Sequence, residues 1–141
     1  MSAIKEVLFK AKRTDNSKWI EGSLIQGVFV RCADNQDIPY ILNIDDIDCD
    51  YDNFGDLTDG FGYYEVNPDT ICQYTGLVDR NGDKIWENDI VRLDEDLYIV
   101  TWEEDDAMFA LEDVGIVEHF SNVDSKWCEV VGNKFDNSEL V

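Results

Sequence analysis

Leu77-Val78-Asp79-Arg80-Asn81-Gly82-Asp83-Lys84-Ile85-Trp86 is the stretch whose reading decides the fold. Asn81-Gly82 supplies the two positive-φ positions of a tight hairpin turn, because glycine has no Cβ to clash and asparagine tolerates the left-handed region. Apolar residues stand on both sides of the pair, so two short antiparallel strands are expected here. The same alternation continues downstream in Ile90-Val91-Arg92-Leu93, Tyr98-Ile99-Val100-Thr101-Trp102, Met108-Phe109-Ala110-Leu111 and Cys128-Glu129-Val130-Val131. Their connections, Asp94-Glu95-Asp96 and Glu103-Glu104-Asp105-Asp106, are short and acidic. Strands at intervals of roughly ten residues read as a small SH3-like β barrel across 76–135. The segment 114–120 fits either a short helix or another strand.

Upstream, residues 7–13 alternate, Thr14-Asp15-Asn16-Ser17 turns, and residues 18–24 return with Trp19 and Ile20. This is an N-terminal hairpin with a loop of about four residues. Val28-Phe29-Val30 and Tyr40-Ile41-Leu42 are further strand candidates around the polar loop 33–37. Residues 45–62 differ. Asp45, Asp46, Asp48, Asp50, Asp52, Asp56 and Asp59 come with no basic residue among them, and Gly55, Gly60 and Gly62 interrupt the run, so a loop is expected. Tyr63 to Val66 resumes a strand, Asn67-Pro68-Asp69 forms a turn or one-turn helix with Pro68 where its missing N–H costs nothing, and 70–75 is extended. The expected organisation is an N-terminal β unit over 1–62, carrying the acidic loop 45–62, and a barrel part over 63–141. The hairpin unit packs on the barrel, and the two fold as one cooperative domain.

The chain has 32 acidic and 11 basic residues in 141, a net charge of −21. The charge is uneven: residues 1–30 hold five Lys/Arg and three acids, whereas 80–141 hold five basic residues and seventeen acids. Such a surface repels phosphate, which disfavours direct contact with nucleic acid or an anionic membrane. A basic partner surface would be attracted to it. Acidity that serves solubility alone is the blander reading. Cys32, Cys49, Cys72 and Cys128 are far apart and include no C-x-x-C pair. The start Met1-Ser2-Ala3-Ile4-Lys5 lacks the apolar run of a signal peptide, and no apolar stretch reaches membrane-spanning length. Free thiols in a cytoplasm are therefore expected.

Chemistry-bearing constellations are few. Asp48, Asp50, Asp52, Asp56 and Asp59 fall at positions 1, 3, 5, 9 and 12 of a calcium-binding EF-hand loop, where alternate oxygen ligands converge on a hard cation. Asn53 stands where that loop needs glycine, Asp59 where it needs a bidentate glutamate, and no amphipathic helices flank it. A solvated acidic loop is the expected state, with no metal site. His119 is the single histidine; in a strand, its neighbour Glu118 would point to the opposite face. A pairing of His119 with Cys72 or Cys128 is left for the fold to decide, and buried inert thiols are the commoner outcome. No nucleophile elbow or phosphate-binding glycine loop occurs. Four Trp, six Tyr and seven Phe are numerous. With acidic neighbours, as in Trp86-Glu87 and Trp102-Glu103-Glu104, they read as core and subunit-interface residues rather than a nucleic-acid platform.

Three blocks carry a family resemblance: Tyr64-Glu65-Val66-Asn67-Pro68-Asp69-Thr70, Gln73-Tyr74-Thr75-Gly76-Leu77, and Asp79-Arg80-Asn81-Gly82-Asp83-Lys84-Ile85-Trp86-Glu87-Asn88-Asp89-Ile90-Val91. They resemble the YopX-like family of phage and prophage proteins. Supporting likeness comes from Lys10-Ala11-Lys12-Arg13 through Trp19, from Gly22-Ser23-Leu24-Ile25, and from Glu129-Val130-Val131-Gly132-Asn133 with Asp136-Asn137. The acidic middle, about 31–62, lies outside it. The family usually has glycine where this chain has Asn88, and asparagine tolerates the same left-handed backbone. The resemblance implies an SH3-like barrel in the C-terminal part, a phage or prophage origin and residence in the bacterial host cytoplasm. It implies no activity and no catalytic residues. The reading that follows is a non-enzymatic accessory protein without cofactor that acts through protein contacts, with homo-oligomerisation an open possibility. An acidic DNA mimic that occupies a host DNA-binding protein is the first alternative. A divalent-cation-binding protein or hydrolase is the second.

Overall fold

The computed structural model describes residues 7–25, 39–47, 61–113, 116–120 and 122–141. The fold is mainly β, with its strands dealt between two antiparallel sheets. Two compact units divide the chain, Val7–Cys72 and Gln73–Val141. The division falls ten residues beyond the boundary expected at 62/63, because the strand containing Tyr63 and Tyr64 pairs backward into the N-terminal unit.

That unit holds β1 (Phe9–Lys12), β2 (Trp19–Ile25), β3 (Tyr40–Ile47) and β4 (Phe61–Glu65). They are antiparallel neighbours in the order β4-β3-β2-β1, so the expected hairpin is extended on one side by β3 and β4. The hairpin closes over 14–17 as read, with Arg13 N–H donating to the Lys18 carbonyl at 2.9 Å and Ser17 at φ 60°. Registers Ala11↔Ile20, Leu24↔Ile41 and Ile41↔Tyr64 put alternate residues on one face. There Ala11, Ile41 and Val66 are buried, with Phe9, Ile20, Leu24 and Ile71 against them. Asp45 and Asp46 belong to β3, and Phe61 and Gly62 to β4, so both ends of the loop expected over 45–62 are strand; 48–60 lie outside the described residues, as do 28–30.

Asn67-Pro68-Asp69-Thr70 forms the one-turn helix read from the sequence, a 3₁₀ turn over Pro68–Thr70. The Asn67 side chain accepts the Asp69 N–H at 3.0 Å, and Pro68 takes the opening position. Thr70 is buried because its hydroxyl serves two groups: it accepts the Lys12 N–H at 2.9 Å and donates to the Asn67 carbonyl at 2.8 Å. The motif is thus a clasp on β1.

The C-terminal unit holds β5 (Cys72–Val78), which starts at its border, and β6 (Lys84–Trp86). After them come β7 (Asp89–Leu93), β8 (Asp96–Glu103), β9 (Met108–Asp113), β10 (Ile116–His119), a one-turn helix α1 (Asn122–Ser125) and β11 (Glu129–Asn133). Within the ambiguous segment 114–120, Ile116–His119 is strand β10, and 114–115 lie outside the described residues. β7 to β11 make one antiparallel sheet in the order β10-β9-β8-β7-β11. Leu111, Val100, Val91, Ile85, Phe120 and Cys128 form its buried cluster. Each fully buried aliphatic there contributes about 1.5–3 kcal/mol.

Two expectations are corrected here. The closed barrel is not found: among the described residues β10 and β11 are the two edges of an open sheet. The outer side of β11 is taken instead by the β5–β6 turn, since Arg80 N–H donates to the Cys128 carbonyl at 3.0 Å and Val130 N–H to the Asp79 carboxylate at 3.0 Å. The turn itself is also not the two-residue type. Only Gly82 has positive φ (84°); Gly82 N–H donates to the Asp79 carbonyl and Asp79 N–H to the Asp83 carbonyl, which makes a three-residue loop with a glycine bulge. Asn88 does adopt the left-handed backbone, at φ 72°, and links strands with both its backbone groups, to the Val100 carbonyl and the Lys134 N–H.

The terminal motif has a steric reason. A Cβ on Gly132 would lie 2.5 Å from the Asn137 side-chain oxygen, which accepts the Asn133 N–H at 3.1 Å. Gly132→Ala should therefore lower stability by about 1–3 kcal/mol in urea unfolding, with the slope unchanged; an unchanged midpoint would show that the closing turn is free to shift.

Candidate functional site

Asp79 builds the site. It is 4% exposed, whereas most of the carboxylates among the described residues are exposed. Oδ1 accepts the N–H groups of Asn81 and Asp83, both at 2.9 Å, and Oδ2 accepts the Val130 N–H at 3.0 Å. The first pair shapes the turn and holds Asn81 out of the left-handed region. The third ties that turn to β11 across 51 residues. Arg80 follows directly, and its guanidinium is thereby carried to Glu129, Nη2 to Oε2 2.7 Å.

Around this ion pair lies an open pocket of about 250 Å³ lined by Arg80, Arg92, Asp94, Trp127 and Glu129. Arg92 lies on β7 directly opposite Glu129 on β11, with an exposed side chain and no ion pair among the described residues. Asp94 is fixed by the two-residue β7–β8 turn, at φ 57°. Trp127 follows α1, its N–H donating to the Asp124 carbonyl at 3.1 Å, and its side chain is 71% exposed. A large indole left in water next to an arginine that makes no ion pair among the described residues sets this surface apart from the core. Both arginines of the C-terminal unit line this one pocket.

Sequence reading does not single out these residues, because they stand at 80, 92, 94, 127 and 129 and only strand pairing gathers them. One signal was available. Arg80 and Arg92 are the two arginines among the seventeen acids of 80–141, and alternation in β7 turns Arg92 away from its buried neighbour Val91.

The other residues weighed from the sequence are placed as follows. Asp48 to Asp59, Cys32 and Cys49 lie outside the described residues, as does the His119 side chain. Among the described residues no three His, Cys, Asp or Glu side chains gather closely enough to hold a metal ion. Cys72 and Cys128 are buried thiols, donating to the Thr70 and Ser125 carbonyls at 3.3 Å each. Burial, then the charge of Asp79, pushes the Cys128 thiol from its ordinary 9.0 up to about 11, so it stays protonated and unreactive near neutrality. Trp86 is core, in tilted contact with Tyr74. Trp102, 43% exposed, meets Phe109 edge-on at 5.0 Å. Trp19 differs from the acidic setting expected for the aromatics: cross-strand pairing brings Lys10 and Lys12 over its ring, at 4.7 and 5.4 Å.

A mainly β chain of two antiparallel sheets, with its open aromatic and arginine pocket on the C-terminal one, is thereby defined. The family model described as YopX protein matches residues 8–141, and the chain belongs to that family. Among solved structures it is similar to the crystal structure of protein EF1440 from Enterococcus faecalis, with a TM-score of 0.54 and 20% identity over 97% of this chain and 99% of that one. At that identity the likeness speaks for the fold. No curated protein matches the chain. No helix among the described residues is long and apolar enough to cross a membrane.

The Cys128 environment gives a pH prediction. Its folded value is raised, so the thiol's contribution to stability is whole below about 9 and disappears as pH rises through about 11, because the unfolded chain releases this proton first. Urea midpoints of the wild type and Cys128→Ala, taken from pH 8 to 11, should converge as pH rises; a constant gap would mean the thiol is not held protonated by the fold.

Proposed function

We propose that this YopX-family chain is a non-enzymatic phage or prophage accessory protein that works in the bacterial cytoplasm by docking a protein partner on the face around Trp127. The observation that carries the reading is the 71% exposure of Trp127 beside Arg92, which makes no ion pair among the described residues. Tryptophan and arginine are the side chains most often found at the energetic centre of protein interfaces. The neighbouring Arg80–Glu129 pair and the Asp79 anchorage support it, because a surface already fixed gives up little entropy on binding. The strand order also supports an SH3-like comparison, since the last strand returns beside the first strand of the β7-to-β10 meander, with the barrel left open. Reaction chemistry finds no support in the pocket: it gathers arginines, carboxylates and an indole, with no nucleophile beside a base.

The DNA-mimic reading has less behind it. A mimic needs its carboxylates in one stripe, whereas the acidic turns at 94–96 and 103–106 lie at opposite ends of β8, an eight-residue strand spanning about 26 Å. The −21 charge still makes a partner with basic surface outside the pocket a good match.

Affinity capture from a lysogenic host, with wild type and Trp127→Ala compared side by side, tests the proposal. Trp127→Ala should fold normally, the side chain being in water, and should reduce capture of the wild-type partner about tenfold or more. Equal capture by both proteins would remove this face from the interaction.

A further inference from the structure

The pocket at Trp127 also indicates what chemistry it takes, and this inference rests on the docking reading above. Glu129 is directly opposite Arg92 across the β7–β11 pair, close enough to neutralise it. Its carboxylate goes instead to Arg80, at 2.7 Å. Asp94, two residues along from Arg92, makes no ion pair with it either. Among the described residues, therefore, no carboxylate claims the planar fork of N–H donors of Arg92, in a region where acids outnumber basic residues seventeen to five. Guanidinium groups bind carboxylate or phosphate through two parallel hydrogen bonds, which gives geometric selectivity as well as energy.

Three further observations choose among anions. The pocket, at about 250 Å³, takes one or two side chains and falls short of the usual ligand-site range of about 300–1,000 Å³. Its wall carries two carboxylates, Asp94 and Glu129, which repel a dianion more than a monoanion. The whole chain, at −21, opposes an extended polyanion at long range. A single carboxylate with an apolar neighbour satisfies all three: the charge meets Arg92 and the apolar group lies on the Trp127 indole. We propose that the pocket is a receptor for one carboxylate side chain, or chain terminus, of the partner, gripped by Arg92 and flanked by Trp127. Glu129 acts in it as a built-in competitor that keeps Arg80 occupied and tempers the anion affinity of the site.

The test uses three blocked peptides as probes, acetyl-Leu-Glu-amide, its uncharged isostere acetyl-Leu-Gln-amide and acetyl-Leu-phosphoserine-amide. Binding is read from the Trp127 indole N–H resonance of the ¹⁵N-labelled full chain, assigned by its loss in Trp127→Phe. The glutamate peptide should shift that resonance saturably and the glutamine peptide should not. Arg92→Lys should weaken binding about tenfold, since a point charge cannot form the paired contact. Glu129→Gln should strengthen it by about fivefold, by freeing the Arg80 guanidinium. Equal binding of the two isosteres, an unaffected Arg92→Lys protein, or saturation by the phosphoserine peptide at lower concentration would each overturn the proposal, the last in favour of a phosphate-bearing ligand. The docking reading fails separately: partner capture that survives Trp127→Ala removes it, whereas capture that needs Trp127 but ignores Arg92→Lys leaves docking intact and removes the carboxylate receptor.

Discussion

The carboxylate of Asp79 has been taken out of water and answered by three backbone N–H groups, two in its own turn and one on the last strand. Leaving such a group buried without donors costs several kcal/mol, so the turn, the outer side of β11 and the aspartate hold their places together or not at all. The rest of the C-terminal unit follows from that constraint. The β11 edge is occupied, so the sheet stays open there. Arg80 is delivered to Glu129. The Cys128 carbonyl accepts from Arg80, and burial, with the Asp79 charge adding to it, keeps the Cys128 thiol protonated.

Charge has two roles at two scales in this molecule. Over the whole chain an excess of acids sets long-range repulsion from phosphate. Within a few ångströms the scarce arginines matter more than the many carboxylates. Arg80 is spent on a fixed ion pair, and Arg92, beside an exposed indole, has no ion pair among the described residues. In the N-terminal unit three cations lie over rings, Lys10 and Lys12 over Trp19 and Arg13 over Tyr64 at 4.2 Å, and Arg13 also pairs with Asp15. The contrast makes Arg92 the informative one.

Local structure was legible from the residues because it depends on neighbours in the chain. Alternation found β1, β2, β3 and the strands from β7 to β9, Pro68 marked the 3₁₀ turn, and Asn88 was rightly read as able to replace glycine. Non-local consequences were not legible. Asn81 looked like a left-handed residue by its dipeptide, but the Asp79 side chain, which competes for the same backbone N–H groups, selects the longer turn. Barrel closure failed for the same reason, a side chain taking an edge that a strand would otherwise use. The border between the compact units lies ten residues beyond 62/63 because β4 pairs with β3 across the acidic stretch, and register across a long connection leaves no mark in composition. The pocket was hidden because its five residues meet only once β7 and β11 pair.

The most direct measurement of the central constraint is native-state amide hydrogen exchange of Asn81, Asp83 and Val130 in the wild type, Asp79→Asn and Asp79→Ala. If the carboxylate knots the turn to β11, Asp79→Ala should unfold at least about 3 kcal/mol more easily and all three amides should lose protection together, with Asp79→Asn in between. Protection of Val130 that persists in Asp79→Ala, with the turn amides alone exposed, would contradict that dependence and show that β11 is held by β7 without the aspartate.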